Sequence, residues 1–195
     1  MTCALAIKDD DKVVMVADRS CDFGYYMETV DSPKIFEFDM PEYKMLISYA
    51  GTMRGATLLK HSFVPPTWDK ECPMESYVTI DLMDSIRECW EEHNFVLDME
   101  NNQCEMIVAI SDFDNLYLYN VGSDLAVTTS VHPYMSIGTG AVFALGVLCG
   151  MELTKLGTDD KARLAMRSAD TWCNTVQGPF DVVTLAKDGN VVFSG

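Results

Sequence analysis

Thr2-Cys3-Ala4-Leu5-Ala6-Ile7 and Val13-Val14-Met15-Val16-Ala17-Asp18 are two apolar runs joined by the acidic turn Asp9-Asp10-Asp11. Short apolar and β-branched runs broken by a polar turn read as strands, here over 3–8 and 13–18. The first run opens on a threonine and the second ends on an aspartate. Lys34 then opens a third strand, 34–38, after Ser32-Pro33. The steps from Thr2 to Asp18 and from Asp18 to Lys34 are both 16 residues. Removal of Met1, which is the expectation here, gives Thr2 a free α-amine beside its own hydroxyl, so that nucleophile and base share one residue. A lysine next to that hydroxyl would lower its pKa, and an aspartate next to the lysine would keep it oriented and charged. Such a set suits acyl transfer to water.

Outward from this stretch, the segment between Asp18 and Lys34 reads as a loop containing Gly24 and Pro33. A Pro41 turn leads to a strand over 44–50, and Gly51 ends that strand and opens a helix over 52–63, stopped by Pro65-Pro66. A longer helix is expected at about 74–94. Its apolar stripe is Tyr77, Ile80, Leu82/Met83, Ile86 and Trp90, with Asp81, Asp84, Glu88, Glu91 and Glu92 on the other face. Strands return at 104–111, 116–120 and 125–131. Gly138-Thr139-Gly140 opens a helix over 141–155, whose Ala141, Ala144, Gly146 and Gly150 suit close packing. A further helix from Thr158 to about 174 and a hairpin, 180–186 with 190–194, complete the chain. The order ββββ-αα-βββ-αα-ββ does not alternate as βαβ units do. It reads as α+β, two stacked antiparallel sheets with helices outside.

The chain has 195 residues, 48% of them hydrophobic, which is most simply one domain over 1–195 with a substantial core. Fourteen Lys and Arg against 30 Asp and Glu give a net charge of −16, which repels phosphate and argues against nucleic-acid binding. The seven cysteines show no CxxC pair, and His61, His93 and His132 are scattered, so reduced thiols and no metal site are expected. No basic leader opens the chain, and the apolar stretch Ala141 to Met151 is too short to span a bilayer. No membrane association is expected, and the expected location is the cytoplasm.

Several segments in order resemble the proteasome β-subunit and HslV-like family of N-terminal-nucleophile (Ntn) hydrolases. They are Thr2-Cys3-Ala4-Leu5-Ala6-Ile7, Val13 to Asp18, Ser32-Pro33-Lys34-Ile35-Phe36, Ser48-Tyr49-Ala50-Gly51, Ile137-Gly138-Thr139-Gly140, Ala162-Arg163-Leu164-Ala165-Met166 and Phe180-Asp181-Val182-Val183. The resemblance covers nearly the whole chain. It implies a four-layer αββα sandwich and a threonine-type endopeptidase with Thr2 as nucleophile and its own amine as base. Lys34 and Asp18 match the activating lysine and its carboxylate, and Gly51 matches the glycine whose N–H forms the oxyanion hole. Thr139 stands where the family has serine, either bonding towards the N-terminus or capping the helix. By the same alignment, Cys21, Ser32, Phe36, Tyr49 and Met53 line the first substrate pocket. The resemblance also implies homo-oligomeric rings and polypeptide substrates. No GxxxxGK[ST] pattern occurs, so no cofactor is expected in the chain, and ATP would enter only through a separate partner ATPase, an unfoldase.

This sequence departs from the family in two places. The Asp and Ser that the proteasome carries three residues apart are missing from Cys173-Asn174-Thr175-Val176-Gln177-Gly178, a region that also varies among HslV-like members. Arg often sits two residues after the family aspartate, where this chain has Ser20, with Arg19 adjacent. Two alternatives stand beside the peptidase: a non-catalytic ring or scaffold subunit of the same fold, and a small-molecule Ntn amidohydrolase.

Overall fold

In a computed structural model, which describes residues 2–98 and 103–194, the first two strands are β1 (Ala4–Lys8) and β2 (Lys12–Asp18). Met1 lies outside the described residues. The two strands pair antiparallel, Ala4 opposite Ala17 and Ile7 opposite Val14. Both faces of each are covered, which is why they read as continuous apolar runs rather than alternating ones. Leu5, Ile7, Val14 and Val16 point towards helices, and Ala4, Ala6, Met15 and Ala17 point towards a second sheet. Each such aliphatic side chain contributes about 1.5–3 kcal/mol on full burial.

The remaining strands are β3 (Ser20–Asp22), β4 (Met27–Thr29), β5 (Ile35–Asp39), β6 (Lys44–Gly51), β7 (Cys104–Ser111), β8 (Leu116–Val121), β9 (Val127–Thr128), β10 (Tyr134–Ile137), β11 (Phe180–Ala186) and β12 (Val191–Phe193). One sheet has the order β10-β1-β2-β11-β12 and the other β5-β6-β7-β8-β9, and the neighbours in each are antiparallel. A small third sheet pairs β3 with β4.

Among the described residues five α-helices cover the outer faces: α1 (Met53–His61), α2 (Met74–Tyr77), α3 (Met83–Glu92), α4 (Ala141–Gly150) and α5 (Thr158–Trp172). Three cores separate the layers. Ala4, Met15, Leu46, Ile107 and Leu185 fill the space between the sheets. Leu59, Ile86, Trp90 and Val108 pack α1 and α3 on one outer face, and Leu148, Ala165, Met166 and Val182 pack α4 and α5 on the other. The result is the α+β, four-layer αββα sandwich expected from the sequence.

Local expectations fail in places, each for a physical reason. The loop before Lys34 contains the β3–β4 hairpin, whose three-residue strands are too short to show a period. The strand expected at 125–131 shrinks to Val127–Thr128, because Leu125 takes φ 64°, a left-handed conformation that a strand cannot include. β10 follows Pro133, is only four residues long, and pairs with β1. The helix expected at 74–94 carries a π-helical turn, Val78–Leu82, between α2 and α3. That wider turn shifts the phase of the stripe, so Ile80 faces solvent while Val78 and Leu82 are buried. The helix expected to run to 155 ends at Gly150, and Gly146 and Gly150 pack against nothing: a Cβ on either would meet no atom within 4 Å.

Candidate active site

Strands normally bury apolar side chains, so a cluster of buried polar groups calls for a chemical explanation. Thr2, Asp18, Ser20 and Lys34 are all buried, at 3%, 0%, 1% and 3% exposure, and they meet at one end of the first sheet. Thr2 precedes β1, Asp18 ends β2 and Ser20 opens β3. Lys34 lies one residue before β5, and its carbonyl accepts the N–H of Tyr49 at 3.0 Å.

The Lys34 ammonium donates to Thr2 Oγ1 at 2.9 Å, to Asp18 Oδ1 at 3.0 Å and to the Ser20 carbonyl at 2.6 Å. Three acceptors match the three N–H groups of an ammonium. Asp18 is equally well served. Its Oδ1 also accepts the Cys3 N–H at 3.0 Å, and its Oδ2 accepts the Ser20 N–H at 3.2 Å together with the Ser20 hydroxyl. A buried ion pair is tolerated when hydrogen bonds satisfy its remaining groups in this way.

On the other side of Thr2 lies the turn after β10. The Thr2 carbonyl accepts the Gly140 N–H at 3.2 Å and the Thr139 hydroxyl at 3.3 Å. Gly140 occupies the N-cap position of α4 and Thr139 makes no cap, so its hydroxyl turns to Thr2 instead. Gly138 has φ +83°, and a Cβ there would run into the Thr2 carbonyl, so the close approach requires glycine. Its N–H donates to Glu105 Oε2 at 2.8 Å, which ties β7 of the second sheet to this turn.

Gly51 is the last residue of β6, two residues before α1 begins, and not the first residue of the helix. Its φ is +138°, and a Cβ would collide with the Gln103 carbonyl. The adjacent Ala50 Cβ stands 3.3 Å from where a Gly138 Cβ would be, beside the Thr2 carbonyl. The structure therefore brings Thr2, Asp18, Lys34 and Thr139 into one bonded set, with the β6 end alongside.

The five pocket candidates are less unified. Phe36 and Tyr49 share the core cluster beneath α1, and the Tyr49 hydroxyl donates to the Thr52 carbonyl at 2.9 Å. Cys21 is buried on β3 outside that cluster, Ser32 is half-buried, and Met53 is exposed at the start of α1.

Sequence reasoning assigns no role in the site to Ser20, Glu105 or Thr175. Thr175 Oγ1 lies 2.9 Å from Thr139 Oγ1 and 3.2 Å from Cys173 Sγ. Burial pushes the Cys173 thiol up, but its hydrogen bonds with Thr175 and Thr139 outweigh burial and hold it below the usual range. Burial pushes the Cys3 thiol up to about 12. Arg19 turns away from the cluster: its Nε donates to Asp181 at 2.9 and 3.0 Å, and Nη1 reaches Asp31 at 3.3 Å. Those bonds with Asp181, acting against a smaller effect of burial, hold the guanidinium above its ordinary value. The bond to Asp31 ties Arg19 to the segment leading to Lys34. Among the described residues no group of three His, Cys, Asp or Glu could hold a metal ion, and no helix is long and apolar enough to cross a membrane.

No protein-family profile and no curated protein sequence matches the chain. Solved structures do match. The Gly-1 mutant of Anbu from Hyphomicrobium sp. strain MC1 superposes with a TM-score of 0.77 at 16% identity, over 100% of this chain and 86% of that one. BPH from Thiobacillus denitrificans in complex with epoxomicin gives 0.73 at 17% identity, over 94% and 98%. Eukaryotic HslV from Trypanosoma brucei gives 0.66 at 19% identity, over 94% and 99%. At these identities the likeness speaks for architecture alone, and the chain has the fold of the proteasome-β and HslV-like Ntn hydrolases.

Proposed function

We propose that the protein is a threonine-type endopeptidase acting on polypeptides within a ring-shaped homo-oligomer. One observation carries the proposal: the Lys34 ammonium, buried, bridges the Thr2 hydroxyl oxygen at 2.9 Å and Asp18 at 3.0 Å. A cation donating to a hydroxyl oxygen favours its alkoxide character, and the carboxylate behind it holds the cation in place.

Removal of Met1 makes the Thr2 amine available as base. Thr2 Oγ1 then attacks the scissile carbonyl carbon while its proton passes to the amine. The oxyanion of the tetrahedral intermediate takes a hydrogen bond from the Gly51 N–H. The amine returns the proton to the leaving nitrogen, the C–N bond breaks, and an ester of Thr2 remains. Water attacks that ester, giving its proton to the amine, and Thr2 recovers its hydroxyl as the acid departs. Cys3 is no rival nucleophile, because a thiol pushed to about 12 stays protonated at neutral pH.

Assembly is part of the same proposal. Val142, Leu153, Leu156, Leu164 and Trp172 are exposed on or beside the outer helices α4 and α5, and exposed apolar side chains of this number suit subunit contacts. The chain carries no nucleotide-binding pattern, so unfolding of substrates would fall to a separate ATPase. A cytoplasmic location accords with seven unpaired cysteines.

The test combines intact mass with a fluorogenic peptide assay. Loss of Met1 and hydrolysis that disappears in Thr2→Ala are expected, together with light scattering far above the 21.8 kDa protomer. Retained Met1 in an inactive protein points to the scaffold alternative, and activity on small amides alone to the amidohydrolase.

A further inference from the structure

We infer that Ser20 is a positioning residue for this site, its hydroxyl and backbone N–H together holding the second oxygen of the Asp18 carboxylate. The inference rests on the peptidase reading above. Ser20 is 1% exposed and engages the site through three groups at once. Its carbonyl accepts the Lys34 ammonium at 2.6 Å, its N–H donates to Asp18 Oδ2 at 3.2 Å, and its hydroxyl donates to the same oxygen. The Ser20 oxygen also lies 3.1 Å from the Thr175 carbonyl.

The division of labour on Asp18 gives the hydroxyl its role. Oδ1 faces Lys34 and the Cys3 N–H, whereas Oδ2 faces Ser20 alone among the hydrogen bonds of the described residues. A carboxylate held at one oxygen can still swing about its own axis. Two donors from Ser20 on the other oxygen fix the plane, so Oδ1 stays in line with the ammonium and the ammonium stays on Thr2 Oγ1. Small misplacements of a catalytic constellation are expensive in rate.

The single Ser20 hydroxyl proton goes either to Asp18 Oδ2 or to the Thr175 carbonyl, 3.1 Å away, and the positioning role assigns it to Asp18. On the other flank the Thr175 hydroxyl meets Thr139, which donates to the Thr2 carbonyl. Loop 173–178 contains no carboxylate, and it reaches the nucleophile's surroundings through the Thr175 hydroxyl on Thr139.

The experiment compares wild type, Ser20→Ala, Ser20→Thr and Ser20→Cys on a fluorogenic peptide, with circular dichroism to confirm folding. Ser20→Ala keeps the carbonyl and N–H and removes only the hydroxyl. The expected result is a fall in kcat of about 10- to 100-fold with KM within twofold. Ser20→Thr should recover most of the rate and Ser20→Cys, a weak donor, should fall between. Should Ser20→Ala not fold, the Thr and Cys variants carry the comparison, since a positioning role ranks them by donor strength. Active wild type with a folded Ser20→Ala at the same kcat overturns this inference alone, as does a loss confined to KM or a Cys variant as fast as Thr. A Met1-free wild type that turns over no peptide overturns the parent reading and this one with it.

Discussion

Lys34 Nζ stands 2.9 Å from Thr2 Oγ1, although 32 residues separate them in the chain. The contact forms because β1, β2 and the start of β5 end at the same edge of the sandwich. Its consequence for Thr2 is simple. Thr2→Ala removes the one oxygen that can carry the acyl group, so hydrolysis should drop to background while fold and assembly remain. Peptide turnover measured beside circular dichroism and light scattering checks this, and a mutant as active as wild type rules out Thr2 as the nucleophile.

Lys34 and Asp18 should behave differently from Thr2, because they are a buried pair with side chains at 4% and 0% exposure. Lys34→Ala should lower kcat on the order of 10²-fold or more, and Asp18→Asn should act in the same direction but less. Each change also strands a buried partner, which costs about 3–5 kcal/mol in stability. Replacing both with apolar residues, Asp18→Leu with Lys34→Met, should recover much of the stability and none of the activity. Denaturant unfolding and kinetics on the three variants separate the two roles. Activity in the double variant would remove the pair from the mechanism.

The parts of this site that the sequence reveals are the ones that interrupt a strong pattern. Thr2 and Asp18 punctuate apolar strands buried on both faces, and Lys34 follows a proline just before another. Ser20 shows no such contrast, because it lies in a three-residue strand with no period of its own. Glu105 sits at the head of an apolar strand, where a charge is unremarkable until the Gly138 N–H is found on it. Thr175 meets Thr139 from a loop with no period, where a hydroxyl is unremarkable. β10 escapes for a similar reason: four residues after Pro133 cannot show alternation, and only pairing with β1 makes them a strand. The departure at Ser20 is visible in the sequence, but its meaning depends on distances that only the fold supplies.

Asp112 gives a pH prediction with a definite sign. It closes the β7–β8 turn, accepting the N–H groups of Asp114 at 3.0 Å and Asn115 at 2.6 Å and the Tyr117 hydroxyl at 3.0 Å. Burial pushes its carboxyl up, but these bonds outweigh burial and hold it below the usual carboxylate range. A carboxylate with a depressed folded-state pKa stabilises the fold above its unfolded pKa, and that contribution is lost as pH falls through the folded value. Asp112→Asn should therefore cost about 1 kcal/mol at pH 7, and the gap to wild type should shrink as pH falls into the ordinary carboxylate range and close below the depressed folded-state pKa. Urea midpoints across pH measure the gap. A constant difference down to pH 2 would show that the charge is not what Asp112 contributes.

Tyr49 carries a prediction about what the proposed pocket accepts. Its ring is 2% exposed and lies in the core cluster with Phe36. A Cβ added to Gly55 would stand 2.5 Å from its hydroxyl oxygen, so the ring is wedged under the first turns of α1. With Cys21, Ser32, Phe36 and Met53 as its other proposed walls, the pocket would have an aromatic floor and no charged group. Cleavage should follow uncharged residues of small to medium size. Arg or Glu should be disfavoured, because an unpaired charge in an apolar site costs several kcal/mol. Tyr49→Phe keeps the ring and should leave this preference unchanged. Tyr49→Gly removes the floor and should extend cleavage to larger apolar residues, at a stability cost of about 3–5 kcal/mol from the cavity. A peptide library read out by mass spectrometry compares the three proteins. Strong wild-type cleavage after Arg or Glu, or an unaltered profile in folded Tyr49→Gly, would place the specificity pocket somewhere other than beside this ring.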